Sequence, residues 1–391
     1  MKILMLHPHD IFSPLEPWTI RIVSFAKEFS KAGHKIKLIY YPLNFSASRK
    51  IEQNLNFEVI PLERKLGLIN FIKNILFVIK ISQWADIIHF QKCFYWASIP
   101  ALIAGWVNNK PLHYDWDDWE TEIFYDCPDS SAWRNFVGGF MRLIENLLPR
   151  IVDTVSVSSQ ALHDLCIKLG KSREDIFKVP VGVDLEKFSP QISGETIKKK
   201  FNFNGQIVLY LGQLHSAQYA GLFIYAAKEI LESIRDLDVH FLLVGGGFRV
   251  SELKRLSENL GLNGRITFTG AVPQEEVPLF IASADVCVAC FNDNEISRAK
   301  SPLKVVEYMA SGKAVVASNV GEVKSMIEGA GILTGPGNVT SLSRGIVNLL
   351  RNKVLRENMG NKAREKMEKG YSWSTIKENL LIAYGRAINY G

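Results

Sequence analysis

The chain has 391 residues, 47% of them apolar, and a net charge of +6 at pH 7. That length exceeds one comfortable core, so two domains of ordinary size are expected, and the mild, dispersed basic excess fits small anionic partners while arguing against nucleic acid. Five scattered cysteines (Cys93, Cys127, Cys166, Cys287 and Cys290) form an odd set, which points to free thiols in a reducing, cytoplasmic compartment rather than a disulfide framework.

Short β-runs alternate with amphipathic helical stretches, the pattern of an α/β protein with parallel sheets. The opening KILMLH is broken at once by His7, Pro8, His9 and Asp10, too early for a signal-peptide core, and reads as the first strand. A helix follows from Trp18 to Lys31, with Ile22, Phe25, Ala26 and Phe29 on one face and Gly33 behind it. Further strands are expected at KIKLIYYP, FEVIPL, ADIIHF, PLHYDW and DTVSVSS. Between them, Leu66 to Ser82 is strongly apolar but broken by Asn70, Lys73, Asn74 and Lys80. That is too interrupted to span a membrane, and it suits either a core-facing helix or one lying on an anionic membrane surface.

The scheme repeats in the second half with QIVLYLG, VHFLLVGG, RITFTG, DVCVAC and AVVAS, so two doubly wound, Rossmann-like sheets facing a cleft are expected. A hinge near Val179 to Pro190 divides them into 1–188 and 189–372, and a last helix occupies 373–391. The CxxC of Cys287 and Cys290 lies inside a buried-strand pattern, which favours packing over metal or redox chemistry.

The most informative run is Ser301 to Val323. Ser301 suits a helix N-cap and Pro302 a first helical residue, and the free backbone N–H groups of such an end attract phosphate. Glu307 stands one and a half turns in, placed to accept hydrogen bonds from sugar hydroxyls. Gly312 ends the helix, and AVVAS follows as a buried parallel strand.

These blocks, in this order, resemble the retaining, nucleotide-sugar-dependent glycosyltransferases of the GT-B fold, family 4 (glycosyl transferases group 1), in a divergent SPLK/EYMASGK form. The resemblance covers nearly the whole chain: the opening block, FLLVGGGFRVSELKRLSENLGLNGRITFTGAVPQEEVPLFIASADV, SPLKVVEYMASGKAVVAS with GEVKSMIEGAGILTGPGN, the hinge-like VGVDLEKFSP, and a terminal helix YSWSTIKENLLIAY that crosses back to the first domain. It implies that 1–188 is the acceptor side and 189–372 the nucleotide-sugar side. Glu307 would hold the ribose hydroxyls, Ser301, Pro302 and Leu303 would face the diphosphate, and the loop of Gly270 to Pro273, with Val272, would pass the nucleobase. Read alone, Glu307 also suits a capping or salt-bridging role, and Gly245 to Gly247 a tight turn.

The departures from the family pattern are specific. Ala299 stands where a glutamate is usual, and Gln213 and Ala220 stand where an arginine and a lysine usually neutralise the diphosphate. Either Lys304, with Lys300 or Arg298 as further candidates, meets the charge that a leaving nucleoside diphosphate accumulates, or catalysis is weak; each of the three equally suits a solvated surface role. Asp117 replaces a common histidine beside the donor sugar, in a stretch where Asp115, Asp117, Asp118 and Glu120 surround Trp116 and Trp119. It is expected to orient the sugar or take the acceptor proton, against a plain role at a strand end. His7, His9 and His89 are placed near the same strand ends. Pro14, Glu16, Trp18 and Thr19 fill a loop that usually carries glycines. Asp115 and Asp117 also spell a weak DxD metal motif. No metal or other cofactor is expected, since a helix dipole and basic side chains can take that part.

The resemblance implies transfer, with retention, from a nucleoside-diphosphate sugar (UDP-, GDP- or similar) to a hydroxyl of a glycan, lipid-linked or small-molecule acceptor. A cytoplasmic location, at the inner membrane face if Leu66 to Ser82 touches lipid, accompanies it. Two rivals remain: a degenerate nucleotide- or glycan-binding member, and a sugar-nucleotide epimerase.

Overall fold

The computed structural model describes residues 1–13, 16–48, 55–65, 67–126, 131–215 and 219–389. The expectations placed on Pro14, Leu66 and Cys127 lie outside them. The chain divides into two compact units, Met1–Pro180 joined by Trp373–Gly391, and Val181–Ser372.

In the first unit β1 (Lys2–His7), β2 (Lys35–Tyr40), β3 (Glu58–Pro61), β4 (Ile87–Gln91), β5 (Leu112–Trp116), β6 (Thr154–Val157) and β7 (Ile176–Lys178) form one sheet. Its order is β3-β2-β1-β4-β5-β6-β7 and all pairings are parallel. The winding reverses between β1 and β4. Open α/β sheets take ligands beyond the strand ends at such a reversal. The expected first helix is Ile20–Lys31, burying Ile22, Phe25, Ala26 and Phe29 together with Arg21, and Gly33 follows at φ 83°.

The second unit holds β8 (Gln206–Leu211), β9 (Val239–Val244), β10 (Ile266–Gly270), β11 (Val286–Ala289), β12 (Ala314–Ser318) and β13 (Ile332–Thr334) in the order β10-β9-β8-β11-β12-β13. Here the reversal lies between β8 and β11. The AVVAS run is β12, buried at every position and parallel to β11 and β13, because a strand covered on both faces must be apolar throughout. Cys287 lies in β11 and Cys290 just beyond it, and burial pushes both thiols up to about 12.

The terminal helix Trp373–Ile388 belongs to the first unit and buries Trp373, Ile376, Leu380 and Tyr384. Trp373 meets Phe25 edge-on at 5.2 Å, and Tyr384 Oη lies 2.8 Å from His89 Nδ1. His89 also stacks on His113 at 5.2 Å. His89 thus holds the terminal helix through these contacts.

Candidate functional site

Within the second unit the helix Leu303–Ala310 begins after Pro302, which occupies the cap position at φ −76°, ψ 117°. Ser301 was expected to cap this helix and Pro302 to be its first residue, and both positions are corrected. Ser301 Oγ instead accepts a hydrogen bond from the Val181 amide at 3.0 Å. Pro302 supplies no side-chain cap to the first turn, so the leading N–H groups and the positive end of the helix dipole suit an anionic ligand. The far end closes in a Schellman motif. Lys313 N bonds to Tyr308 O at 3.1 Å, Gly312 N bonds to Met309 O at 3.0 Å, and Gly312 has φ 66°.

Glu307 is 3% exposed, and among the described residues its carboxyl accepts one hydrogen bond, from Gln274 Nε2 at a long 3.5 Å. Burial pushes its pKa up to about 8, against the opposing pull of Lys187, Gln274 and Lys304. A buried carboxyl so lightly satisfied is an acceptor with spare capacity, and hydroxyl donors would complete it. Lys304 lies one turn away with Nζ 4.3 Å from the ring centroid of Tyr210 and 5.8 Å from that of Phe291. Tyr210 is in β8 and Phe291 follows β11, so the ammonium sits at the reversal of this sheet. Burial pulls its pKa down to about 7, opposed by Cys290 and reinforced by Lys300, while the ring faces favour the charged form.

Gly245 and Gly247 have φ 144° and 155°, and a Cβ on Gly245 would fall 1.9 Å from Gly212 O. The GGG run thus serves close backbone packing against the loop after β8. Gly270 has φ 73° and its carbonyl accepts from Gly245 N at 3.0 Å, while Val272 beyond it is half-buried. Lys300 is close enough to His215 to lower its pKa, after burial. Ala299 is fully buried and Ala220 joins the apolar core, so neither place could take a charged side chain without rearrangement. Arg298 is exposed and held by Asp293 at 2.7 and 3.0 Å.

In the first unit Asp117 follows β5, and Gln91 Nε2 donates to its Oδ2 at 2.7 Å. Lys92, buried and left-handed at φ 69°, sits 3.2 Å from Asp117 Oδ1 and also pairs with Glu120. Burial raises Asp117 to about 6 and Glu120 to about 8, Lys92 pulling both the other way. One cation between two part-buried carboxyls favours keeping a proton on the pair. Asp115, by contrast, is held at about 2: burial pushes it up, but Arg21 overcomes this with two bonds of 2.7 and 2.8 Å. The two aspartates of the DxD are thus taken up by different cations. Trp119 holds the N-cap position of the helix Glu120–Tyr125, whose first amides and Thr121 hydroxyl bond to buried Glu145.

His7 and His9 close the end of β1. Glu16 Oε1 lies 2.9 Å from His9 Nδ1 and accepts from Arg64 at 2.9 Å, and the His9 ring meets Trp18 edge-on at 5.3 Å. Several polar atoms here (both His7 ring nitrogens, Gln91 Oε1 and Trp18 Nε1) are buried without a partner in good hydrogen-bond geometry. They gather at the reversal between β1 and β4, where a polar ligand would satisfy them. Sequence reasoning singled out Asp117, Glu307 and Lys304 but did not name their neighbours Lys92, Gln91, Gln274 and Tyr210. A lysine after an apolar strand carries no local sign that it turns inward.

Two parallel sheets of seven and six strands in separate units, with a C-terminal helix returning to the first, define the GT-B class. The Glycosyl transferases group 1 model matches residues 193–366, which lie within the second unit. The chain is 25% identical over 263 residues to the uncharacterized glycosyltransferase MJ1069 of Methanocaldococcus jannaschii, covering 66% of this chain and 65% of that protein. To the putative teichuronic acid biosynthesis glycosyltransferase TuaH of Bacillus subtilis it is 27% identical, covering 60% of this chain and 58% of that protein. These alignments thus span less than two thirds of either relative. The solved structure of Anabaena Alr3699/HepE in complex with UDP and glucose superposes with a TM-score of 0.75 at 20% identity, over 98% of both chains.

Proposed function

We propose that the protein transfers a sugar, with retention, from a nucleoside-diphosphate sugar to a hydroxyl of a glycan, lipid-linked or small-molecule acceptor. The observation that carries this is Glu307, a buried carboxyl with spare hydrogen-bonding capacity beside an uncapped helix start. In this reading Glu307 accepts from the ribose hydroxyls and the first turn after Pro302 holds the diphosphate. Lys304, with Lys300, meets the charge that builds on the leaving group, and Gly270 and Val272 pass the base. Asp117, held by Lys92 and Gln91, faces the sugar from the first unit's own site and takes the acceptor proton. The UDP and glucose of HepE support UDP-glucose as the first donor to try. Residues 1–188 with 373–391 are the acceptor side, 189–372 the donor side, and the enzyme works at the cytoplasmic membrane face, touching it through the Leu68–Ser82 helix.

A second reading, a nucleotide- or glycan-binding protein without turnover, is favoured by the buried alanines at 220 and 299. Incubating the protein with a panel of nucleotide sugars, with and without candidate acceptors and chelator, separates the two. Acceptor-dependent release of nucleoside diphosphate is the expected result. Binding without release would leave the second reading, and an isomerised donor would mean epimerisation. Glu307→Ala should abolish transfer and weaken nucleotide binding about a hundredfold, the loss of a pair of charge-assisted hydrogen bonds. Unchanged nucleotide affinity would remove Glu307 from the site.

A further inference from the structure

Large exposed apolar side chains in this protein are concentrated rather than scattered. On the helix Ala132–Ile151, Trp133, Phe136, Phe140, Leu143 and Leu147 recur at steps of three and four, so they share one face. All are exposed, Trp133 at 72% and Phe136 at 68%, while the opposite face is already buried through Met141, Ile144, Glu145 and Leu148. The helix Leu68–Ser82 goes further and is turned inside out. Its buried residues are Asn74, Val78 and Ser82, and its exposed ones include Leu68, Ile69, Ile72, Leu76 and Phe77.

Asn74 donates to Glu63 O at 3.1 Å and Asn108 donates to Ser82 Oγ at 2.7 Å, so polar groups are satisfied on the inside while hydrocarbon faces out. Ring contacts between Phe71 and Tyr95 at 5.7 Å, and between Tyr95 and Phe140 at 6.2 Å, join the two helices across a third, Tyr95–Asn108, which adds exposed Trp106 and Val107. One apolar face results, far more than the single exposed side chains of an ordinary surface.

Charge selects what covers it. The exposed charges on these helices are Lys73, Lys80, Arg142 and Arg150; their lone carboxylate, Glu145, is fully buried. Arg142 reaches Glu122 on the neighbouring helix at 2.9 Å, which leaves the face cationic. Two copies meeting across a two-fold axis would set like charges against each other, whereas an anionic bilayer supplies both the hydrocarbon and the counter-charge. Exposed Trp106 and Trp133 suit the headgroup level. Among the described residues no helix is long and apolar enough to cross a membrane.

We propose that the Leu68–Ser82, Tyr95–Asn108 and Ala132–Ile151 helices together form a docking face that lies in the plane of an anionic lipid surface. This rests on the membrane contact proposed above for the first of them and assigns the larger aromatic share to the last. The test is flotation of the full chain with phosphatidylcholine vesicles, pure or with about one third phosphatidylglycerol. Two double variants are compared, Phe136→Ser with Leu143→Ser, and Ile69→Ser with Leu76→Ser, with thermal unfolding and UDP affinity as checks that each variant is folded.

The protein should float with the anionic vesicles, at least about tenfold more weakly with pure phosphatidylcholine or high salt, and each pair should cost a similar factor. Loss with the Ile69 pair alone would keep the single-helix contact and overturn the wider face. No flotation at all would overturn both. A concentration-dependent dimer that the Phe136 pair abolishes would make the face a protein interface instead.

Discussion

Glu307 and Lys304 stand one turn apart, and burial drives each toward its neutral form, to about 8 and about 7. The site therefore stores a penalty that a nucleotide bound as proposed would relieve, since hydroxyl donors favour the carboxylate and a diphosphate favours the ammonium. The carboxyl's share is open to measurement. The unfolded chain releases the Glu307 proton near 4.5 and the folded chain only near 8. Below 4.5 both states are protonated and the group costs nothing. As pH rises from 4.5 to 8 stability falls, and above 8 the loss is constant, on the order of 5 kcal/mol. Glu307→Gln removes the titrating proton. It should raise the thermal midpoint by several degrees at pH 9 and leave it unchanged at pH 4.5. Thermal unfolding across that range checks this, and an equal shift at both pH values would mean that the carboxyl is not held neutral in the fold.

At the scale of elements, the chain advertises its long apolar runs and little else. β1, β2, β4, β5, β8, β9, β11 and β12 stand out because strands of parallel sheets are buried on both faces. β7 and β13 have three residues each and part-exposed patterns, too short to mark themselves by periodicity. The helix behind Pro302 was legible in its body and its stop, through Glu307 and Gly312, but not in its first residue. Ser301 spends its hydroxyl on Val181, a partner 120 positions away that no local pattern announces. Asp117 was legible through its crowd of carboxylates, whereas the Lys92 that balances them was not.

The stop at Gly312 matters because a Cβ there would need φ 66° and would approach Pro190 Cγ to 3.0 Å. Gly312→Ala should therefore cost about 1–2 kcal/mol. Gly245→Ala, whose Cβ would meet a backbone oxygen at 1.9 Å, should cost more. Denaturant unfolding ranks the two, and the reverse order would show that the loop after β8 yields more easily than the helix end.

For the whole molecule the decisive asymmetry is in how each unit is threaded. Val181–Ser372 is one continuous segment with its own sheet and apolar core, while the first unit closes only when Trp373–Gly391 joins Met1–Pro180. The returning helix packs on the Ile20–Lys31 helix and on β4 to β7. Its removal would expose Phe25 and leave His89 Nδ1 without Tyr384. Trp373, Ile376, Leu380 and Tyr384 are buried there, and at about 1.5–3 kcal/mol for each large side chain the loss is on the order of 10 kcal/mol. That is as large as the entire stability of an ordinary domain.

A chain ending at Ser372 should therefore unfold its first unit while the second survives. Residues 181–372 alone should remain folded and, if this unit holds the donor, keep UDP affinity within a few-fold of the full chain. Urea denaturation followed by circular dichroism reads this directly. The full chain loses two units' worth of signal, the truncated chain only one, and the isolated segment unfolds cooperatively. A truncated chain that kept both would mean that the first sheet is stable without its last helix, so the terminal helix would be a tether rather than part of the fold.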